Sequence, residues 1–381
     1  MIRQSDKFNR RSTVSKQGKV IQRGDKNFMA KKRKTLVNNL QEIIDRGDLN
    51  EFKAVFDKCG IDATNKGKTT SNVFTYRNLT PAHIQFLIDN GLDINTDCGC
   101  GYSALAFQAH NKDNLKCLID NGADIDLVVI GYRGTALARA VSMIDAVGVK
   151  NLLEYGASVD IKCDLDEKSP LDATLAHCNN VNIIDAVEIS KLLLAAGVMP
   201  TDKSKEYVCE IGKCFEFFRN DFNKDFVNEY SNALDELYKL FGVEPVPRRV
   251  IYDGKSKIKV KSTTWQKQHE ELWDMLVPSR GSADTIQGEM IRIIGKVGYE
   301  ILDNGGMNWD EEFRKMMKAL ILFLREENNL DSVLVEEACS LAKNVSSRSD
   351  KKELYRLNEI VVKWVLANPE PIKLNKVDYI R

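Results

Sequence analysis

The sequence predicts a mainly α fold, in which an array of stacked helix pairs with a helical cap is followed by a β-hairpin and a small all-α bundle. The first observation is a glycine that follows an apolar, helix-like stretch five times, at intervals of 31, 31, 34 and 41 residues. A period near 33 residues with glycine at each helix end is typical of stacked helical repeats. The second observation is that apolar residues beyond Thr264 recur at helical spacing without repeating as a unit. The repeated glycines are Gly60, Gly91, Gly122, Gly156 and Gly197.

A basic arm over residues 1–33 precedes the array. Residues 1–35 contain 12 Lys and Arg against 2 Asp and Glu, whereas residues 36–245 contain 20 against 32. The arm has too few large apolar residues to fold on its own, so we expect it to be disordered. Three interpretations of the arm are open. It is a solvated tail, an arm that binds nucleic acid or another anionic surface, or a tethered segment that covers the binding face of the acidic array. The cations nearest the array are Lys31, Lys32, Arg33 and Lys34.

The array over residues 34–200 is clearest between Gly134 and Asp160, where the sequence predicts two helices. Thr135 is placed as the N-cap of the first helix. Gly156 follows the second helix, where a residue with left-handed backbone is favoured. Alanines at alternate positions of the first helix allow neighbouring helices to pack closely, so we expect each pair to bury one face against the next.

Three strings of the array carry a resemblance to a known family: Thr80-Pro81-Ala82-His83, Ser169-Pro170-Leu171-Asp172 and Gly122-Ala123-Asp124-Ile125-Asp126. They resemble the ankyrin repeat, over about residues 34–200. The resemblance implies an ankyrin-repeat solenoid that binds a protein partner through the turns between repeats, with His83 in a structural role. This sequence departs from the family pattern in a shortened first helix at 72–77 and in seven extra residues around 177–182.

The turn tips at 97–102, 130–133 and 162–168 are therefore the candidate partner-binding surface. Tyr and Arg are the residue types that most often anchor protein interfaces. The alternative is that they are ordinary loop residues, and the inserted loop is either a recognition element or a neutral insertion. The candidates are Tyr102, Tyr132, Arg133, Asp164 and Glu167 in the tips, and His177, Asn179 and Asn180 in the inserted loop.

Two amphipathic helices are predicted over residues 201–245, where they close the last repeat as a cap. Residues 246–263 are predicted to form a β-hairpin and linker, because Asp253-Gly254 suits a tight turn and the alternation after it is strict. The lysines of this segment would share one basic face, which either protects a solvated strand edge or contacts phosphate. They are Lys255, Lys257, Lys259 and Lys261.

Residues 264–381 are predicted to form an all-α domain, with helices at 265–276, 282–302, 309–328, 331–344 and 351–367. Strings within 272–278, 283–292 and 303–309 are similar to a small uncharacterised domain of bacterial and phage proteins. That resemblance implies a bacterial or phage origin and no particular activity. The polar residues of the domain either satisfy structural hydrogen bonds or form an enzyme site. They are Gln287, Glu289, Arg292, Asn304 and Asn308, with Trp309 beside them.

Motifs for catalysis and for cofactor or metal binding are missing from the sequence. It contains no phosphate-binding loop, no dinucleotide-binding loop, and no nucleophile placed beside a base. We therefore expect no enzyme activity, no metal and no cofactor. The chain has no run of 18 apolar residues and no apolar signal core near residue 1, so we expect neither a membrane span nor a secretory signal. Its nine scattered cysteines favour reduced thiols in the cytoplasm.

The expected function is that of an adaptor, a protein–protein interaction protein whose array binds a protein partner. The C-terminal domain would supply a second contact or self-association. By analogy with bacterial and phage proteins, the partner would be a host or defence protein. The alternative is a nucleic-acid-associated protein that uses the basic arm and the lysines of 255–261, and a third class is an enzyme with its site in the C-terminal bundle.

Overall fold

The computed structural model describes residues 32–67, 70–130, 134–163, 166–326 and 329–381. This part of the chain is mainly helical, as the sequence predicts, with 16 α-helices and two short strands. The predicted basic arm lies outside the described residues, apart from Lys32 and Arg33. No described helix is both long and apolar enough to cross a bilayer.

The first eleven helices form pairs along the chain. A 3₁₀ helix at Val73–Thr75 takes the place of the first helix in the second pair, in agreement with the shortened helix predicted at 72–77. The helices are α1 (Leu40–Arg46), α2 (Leu49–Lys58), α3 (Pro81–Asp89), α4 (Ala104–Gln108), α5 (Lys112–Asp120), α6 (Ala136–Ser142), α7 (Ala146–Glu154), α8 (Pro170–His177), α9 (Ile183–Ala195), α10 (Asp202–Phe218) and α11 (Val227–Phe241).

These pairs stack in two rows. The 3₁₀ helix, α4, α6, α8 and α10 contact one another in order, and so do α2, α3, α5, α7, α9 and α11. Polar side chains reach back about one repeat: Asn114 Nδ2 donates to Leu79 O at 2.7 Å, and Arg139 Nη1 donates to Ala106 O at 2.7 Å. These bonds satisfy backbone carbonyls at or near helix ends, so they join each pair to the one before it.

The repeated glycines end helices at four of the five predicted positions. Gly91, Gly122, Gly156 and Gly197 have φ values between 86° and 93°, which glycine adopts without steric cost. The prediction for Gly60 is wrong, because α2 ends at Lys58 and the chain continues as strand β2 (Cys59–Thr64). Strand β2 pairs in parallel with β1 (Arg33–Thr35), a partner that the helix-end pattern does not reveal. The sequence contains no hint of this two-stranded sheet.

The β-hairpin predicted over residues 246–263 is also wrong, since none of these residues forms a strand. The turn does form, because Asp253 Oδ1 accepts from the backbone N–H groups of Lys255 and Ser256 at 2.9 and 2.7 Å. The second arm then bonds elsewhere: Ile258 N donates to Pro369 O at 2.8 Å. The segment at Pro369, more than a hundred residues later in the chain, therefore pairs with the predicted second arm in place of the predicted first arm.

The C-terminal part contains five helices, as predicted, and its own hydrophobic core. Two helices match the predicted bounds, α12 (Trp265–Leu276) and α16 (Lys351–Ala367), and the others are α13 (Ile286–Gly298), α14 (Glu311–Leu324) and α15 (Ser332–Asn344). A π-helical turn at Tyr299–Asp303 follows α13. Buried apolar side chains form one cluster within residues 36–241 and a second within residues 258–379. The chain between the two clusters carries the junction described below.

Candidate interaction surfaces

Tyr102, at the tip before α4, belongs to a cluster that joins two repeats. Its half-buried ring lies edge-on to Phe107, with centroids 6.3 Å apart. The guanidinium of Arg139, from the next repeat, lies 4.6 Å from the Phe107 centroid and 5.6 Å from that of Tyr102. Burial lowers the pKa of Arg139, which stays charged. The sequence identified Tyr102 but not its two partners, because they lie on helices rather than in the turn.

The other residues predicted at the tips are less informative. Tyr132, Arg133 and Asp164 lie outside the described residues. Glu167 is exposed and has a left-handed backbone, with φ of 54°, in the turn before α8. Its position fits a solvated turn residue as well as an interface residue.

The inserted loop between α8 and α9 is ordered by its own polar side chains. Asn182 Oδ1 accepts from Asn179 N at 2.7 Å, and Asn179 Oδ1 accepts from Val181 N at 2.9 Å. Tyr230 of α11 donates its hydroxyl to Val181 O at 3.1 Å, which attaches the loop to the cap. Asn179 therefore holds the loop in shape, while the apolar side chain of Val181 is 71% exposed.

Two further predicted residues of this loop have mainly local roles. His177 is exposed, and its Nδ1 lies 2.8 Å from Ala173 O in the preceding turn of α8. Asn180 is half-buried, and its Oδ1 is buried without a hydrogen-bond partner among the described residues. Val181, at 71% exposure, is the large apolar side chain that this loop presents to solvent.

Exposed apolar side chains recur at the connections within successive helix pairs, a surface that we call the loop edge. Met143 lies between α6 and α7, Val181 between α8 and α9, and Phe226 between α10 and α11. Their exposed fractions are 65%, 71% and 51%. Because the pairs stack in two rows, the connections within successive pairs lie along the same edge of the array. The loop edge could not be predicted from the sequence, because each connection contributes one exposed apolar residue and such single residues form no periodic pattern.

The acidic residues near the loop edge give it negative charge. Asp145 is paired with His110 of the preceding connection, with 2.8 Å between Oδ1 and Nδ1. Burial, and then the like charges of Glu188 and Asp145, raise the pKa of Asp185. The raised pKa reflects the fact that burial and neighbouring carboxylates disfavour the charged form of Asp185, and a cation placed beside it would reduce that cost. The loop edge therefore combines apolar side chains with carboxylates.

The lysines of 255–261 are exposed, as the sequence predicts, although the segment is not a hairpin. Lys257 Nζ lies 2.9 Å from Glu370 Oε1, whereas Lys255, Lys259 and Lys261 make no ion pair within the described residues. Near the N-terminal end of the described chain, Lys32 Nζ donates to Phe56 O at 2.6 Å, and Arg33 and Lys34 are exposed on β1. Lys31 lies outside the described residues.

Glu289 and Arg292 of α13 form a fully buried ion pair. Glu289 accepts from Arg292 Nη2 and Nε at 2.6 and 2.8 Å, from Ala283 N at 2.8 Å and from the Tyr379 hydroxyl at 2.7 Å. Arg292 Nη1 donates to Arg381 O at 2.5 Å. Two of these hydrogen bonds, from the Tyr379 hydroxyl and to Arg381 O, hold residues 379–381 against α13. The pair therefore makes structural hydrogen bonds, as one of its two interpretations expects.

The remaining polar candidates of this domain also bond to the chain. Gln287 donates to Asn368 O at 2.8 Å and Glu370 O at 2.6 Å, and its Oε1 accepts from Ile372 N at 3.0 Å. It therefore holds the segment after α16 against α13, as a strand partner would. The side chain thus replaces backbone hydrogen bonds that the irregular segment lacks.

Glu300 organises the turn after α13, and sequence analysis did not identify it. Its carboxylate accepts from Asn304 Nδ2 at 2.9 Å and from Asn308 N at 2.5 Å. Burial alone would raise the pKa of Glu300, but these hydrogen bonds outweigh it and lower the pKa. Trp309 is half-buried and stacks on Phe313, with ring centroids 5.2 Å apart. The cluster therefore shapes the turn.

The junction between the two hydrophobic clusters contains a cleft of about 650 Å³, which we call the junction cleft. It lies between α10, residues 246–253 and α12. Arg249 crosses the junction: its Nε donates to Asp274 O at 2.7 Å, its Nη1 to Phe217 O at 3.3 Å, and its Nη2 to Val277 O. Its guanidinium also lies 4.2 Å from the centroid of the Phe217 ring. Arg249 therefore connects the cap to the C-terminal helices.

No protein-family model matches the sequence, and no curated protein matches it either.

Proposed function

We propose that this chain is a cytoplasmic adaptor whose array of helix pairs is an ankyrin-repeat solenoid that binds a protein partner. The two rows of helices and the hydrogen bonds that span about one repeat support this assignment. The Thr80–His83 string supports it too, because His83 Nδ1 accepts from Thr80 N at 3.1 Å and thereby caps α3. The C-terminal helical domain then supplies a second contact or self-association, with no catalytic role.

The loop edge is the observation that carries the proposed function. Met143, Val181 and Phe226 are large apolar residues exposed at successive connections of the stacked helix pairs. Apolar side chains that recur along one edge of a protein mark interaction sites more often than single exposed residues do. The carboxylates of Asp145 and Asp185 lie near this edge, so the partner surface that fits it is apolar and basic.

The test uses the full-length chain as bait in lysate of the native cell, with captured proteins identified by mass spectrometry. In the variant, Met143→Lys, Val181→Lys and Phe226→Lys are combined, which removes apolar area and repels a basic partner. The control is Met199→Lys, because Met199 is 77% exposed but lies between two pairs, after α9. We expect a discrete protein to be retained at high salt by the wild type and the control, and lost by the variant. Capture of the same protein by the triple variant would contradict the proposal.

A second candidate function is nucleic-acid binding through the lysine segment. The observation in its favour is that Lys255, Lys259 and Lys261 are exposed without an ion pair within the described residues. Cations that release counterions from a phosphate backbone make binding strongly salt-dependent. If this function is correct, combining Lys259→Glu with Lys261→Glu reduces the slope of log affinity against log salt by about 2. Nucleic-acid binding that is absent, or unchanged in this variant, rejects it.

A further inference from the structure

The lysine segment, residues 255–261, carries its cations on the face that points away from the protein. Ile258 and Val260 pack against the C-terminal core, whereas the lysines on either side of them are exposed. Side chains two positions apart on an extended chain share one face and lie about 6–7 Å from each other. The alternation of buried and exposed residues therefore produces a single line of cations rather than a round patch.

Hydrogen bonds hold the backbone of this segment in place. Ile258 N donates to Pro369 O at 2.8 Å. At the other end, Glu271 of α12 accepts from Lys261 N at 2.7 Å and from Ser262 N at 2.9 Å. Because the backbone is already ordered, an extended ligand that binds along it has little further chain entropy to remove.

The charge of this surface stays positive after the carboxylates beside it are counted. Residues 254–269 contain five lysines and no carboxylate. A cavity of about 430 Å³ beside Gly254 adds two exposed cations, Lys373 and Lys376. Five carboxylates border the same surface, so seven cations face five anions and the net charge is +2. These carboxylates are Asp253, Glu270, Glu271, Asp284 and Glu370.

Three of these carboxylates are already bound to other groups of the protein. Glu370 pairs with Lys257 at 2.9 Å, whereas Asp253 and Glu271 accept from backbone N–H groups. Within the part of the chain that the structure describes, the other four lysines of residues 254–269 make no ion pair. A ligand with regularly spaced negative charges would supply the counter-charges that the fold does not.

Two aromatic rings lie where the lysine segment leads into α12. Trp265, the first residue of α12, is half-buried, and Tyr355 of α16 is 38% exposed. Their rings meet edge-on with centroids 5.6 Å apart, and Lys351 Nζ lies 5.1 Å from the Tyr355 centroid. Proteins that bind single-stranded nucleic acid combine these two features, since cations follow the phosphates and aromatic rings stack on bases.

The shape of this surface favours a single strand over other polyanions. A protein reads a duplex by inserting a helix or a β-ribbon into a groove, whereas this segment is one chain that lies against helices. Anionic membranes are bound by apolar side chains that accompany the cations, but the apolar side chains of this segment face the core. A line of cations that ends at aromatic rings fits a flexible strand with unstacked bases.

We propose, on the basis of nucleic-acid binding as the second candidate function, that a single strand of nucleic acid lies along the lysine segment. Its phosphates lie beside Lys255, Lys259 and Lys261, and one base stacks on Trp265. At about 3.3 Å per residue, the chain from Lys255 to Trp265 is at most about 33 Å long. This surface is separate from the loop edge, so the adaptor can hold a protein and a nucleic acid at the same time.

The test measures fluorescence anisotropy of a labelled oligothymidine of about 12 nucleotides with the full-length chain. We expect this strand to bind at least about tenfold more tightly than a duplex of the same length and than a strand of the same length without bases. An oligouridine of equal length measures whether the site prefers DNA or RNA.

Variants separate the two parts of the site. Trp265→Leu weakens single-strand binding about 5- to 150-fold, the range for one lost stacked base, whereas Trp265→Phe keeps a ring and most of the affinity. Combining Lys259→Glu with Lys261→Glu weakens it at least about tenfold at low salt. The control combines Lys205→Glu with Lys239→Glu, which are exposed lysines of α10 and α11, and leaves binding unchanged.

Equal affinity for the single strand and the duplex overturns the proposal but leaves nucleic-acid binding in place as a function. Equal affinity for strands with and without bases overturns the stacked base, and this comparison needs only the wild type, so it holds even if Trp265→Leu fails to fold. Binding of no oligonucleotide rejects both the proposal and the second candidate function. Vesicles that contain anionic lipid are the last probe, and binding to them in place of the oligonucleotides would assign the lysines to a membrane surface instead.

Discussion

Glu289 is the residue whose removal we expect to damage the C-terminal domain most. Its side chain is fully buried and accepts four hydrogen bonds, including two from Arg292. Glu289→Gln leaves Arg292 buried without a counter-charge, and breaking one partner of such a pair costs about 3–5 kcal/mol. We expect the free energy of unfolding, measured in urea, to fall by that amount.

The matched control for this prediction is Glu311→Gln. Glu311 also pairs with an arginine three residues later, since Arg314 Nε lies 2.8 Å from its Oε2, but both side chains are more than half exposed. Water screens such a pair, so we expect no measurable change in stability. Equal effects of the two substitutions would mean that burial of Glu289 does not matter.

His83 makes the stability of the array depend on pH. Burial lowers the pKa of His83 below its ordinary value of 6.5, and its Nδ1 must stay unprotonated to accept from Thr80 N. The unfolded chain therefore takes up the proton more readily, so stability is full above pH 6.5 and falls as the pH drops toward the lowered value. We expect unfolding free energy to decrease between pH 7 and pH 5, and His83→Gln to reduce that decrease.

Burial also lowers the pKa of His269, so part of the pH dependence must remain in His83→Gln. The double variant His83→Gln with His269→Gln tests this point, because it removes both buried imidazoles. A pH dependence between pH 7 and pH 5 that is the same in the wild type and the double variant would show that other groups produce it.

At the scale of the element, the approach of α13 to the end of α12 depends on a glycine. A Cβ added at Gly288 would lie 2.9 Å from both Leu276 O and Ala283 Cβ, closer than real contacts allow. Because one neighbour is backbone, Gly288→Ala must displace a helix, and overpacking of this kind costs about 1–3 kcal/mol. Gly298→Ala on the same helix meets nothing closer than 3.9 Å, and alanine favours helix there by about 0.5–1 kcal/mol.

The two alanine variants should thus change the midpoint of urea unfolding in opposite directions. Since they lie on one helix and introduce the same methyl group, differences in propensity cannot explain opposite signs. If Gly288→Ala stabilises the chain as Gly298→Ala does, the packing of α12 against α13 is looser than the structure indicates.

The elements that could be predicted from sequence are those whose signals are local. Helices α12 and α16 match the predicted bounds because the apolar periodicity that predicts them lies within each segment itself. The hairpin failed because the partner of Ile258 is Pro369, which no local pattern reveals. Gly60 failed for the same reason, since its strand pairs with residues 33–35.

The candidate sites, too, could be predicted from the sequence only where their signals are local. Tyr102 could be identified from its type and its place in a turn, but its contact with Arg139 depends on the stacking of two repeats. The junction cleft could not be predicted at all, because it is lined by residues from α10, α12 and the chain between them. Contacts across long sequence separation are set by packing, and a single sequence does not encode them in a periodic form.

At the scale of the whole molecule, we expect Arg249 to couple the unfolding of the two hydrophobic cores. Its guanidinium donates to carbonyls of Phe217 on the cap side and of Asp274 and Val277 on the C-terminal side. Repeat arrays unfold as sums of neighbouring units, so coupling to a second core requires contacts at their boundary. Arg249→Ala removes all three hydrogen bonds, of which the one to Asp274 O is exposed and the other two are partly buried, so the net loss is about 0.5–1.5 kcal/mol for each.

We therefore expect calorimetry to show one transition for the wild type and two for Arg249→Ala, because the cores then melt independently. Arg248→Ala is the matched control, since Arg248 is adjacent, exposed and without an ion pair within the described residues. Arg249→Lys should also give two transitions, because an ammonium on one flexible stem cannot reach three carbonyls in the fixed geometry of a guanidinium. A single unchanged transition in Arg249→Ala would mean that apolar contacts of Phe217 with Trp273, whose rings stack at 6.2 Å, couple the cores without the arginine.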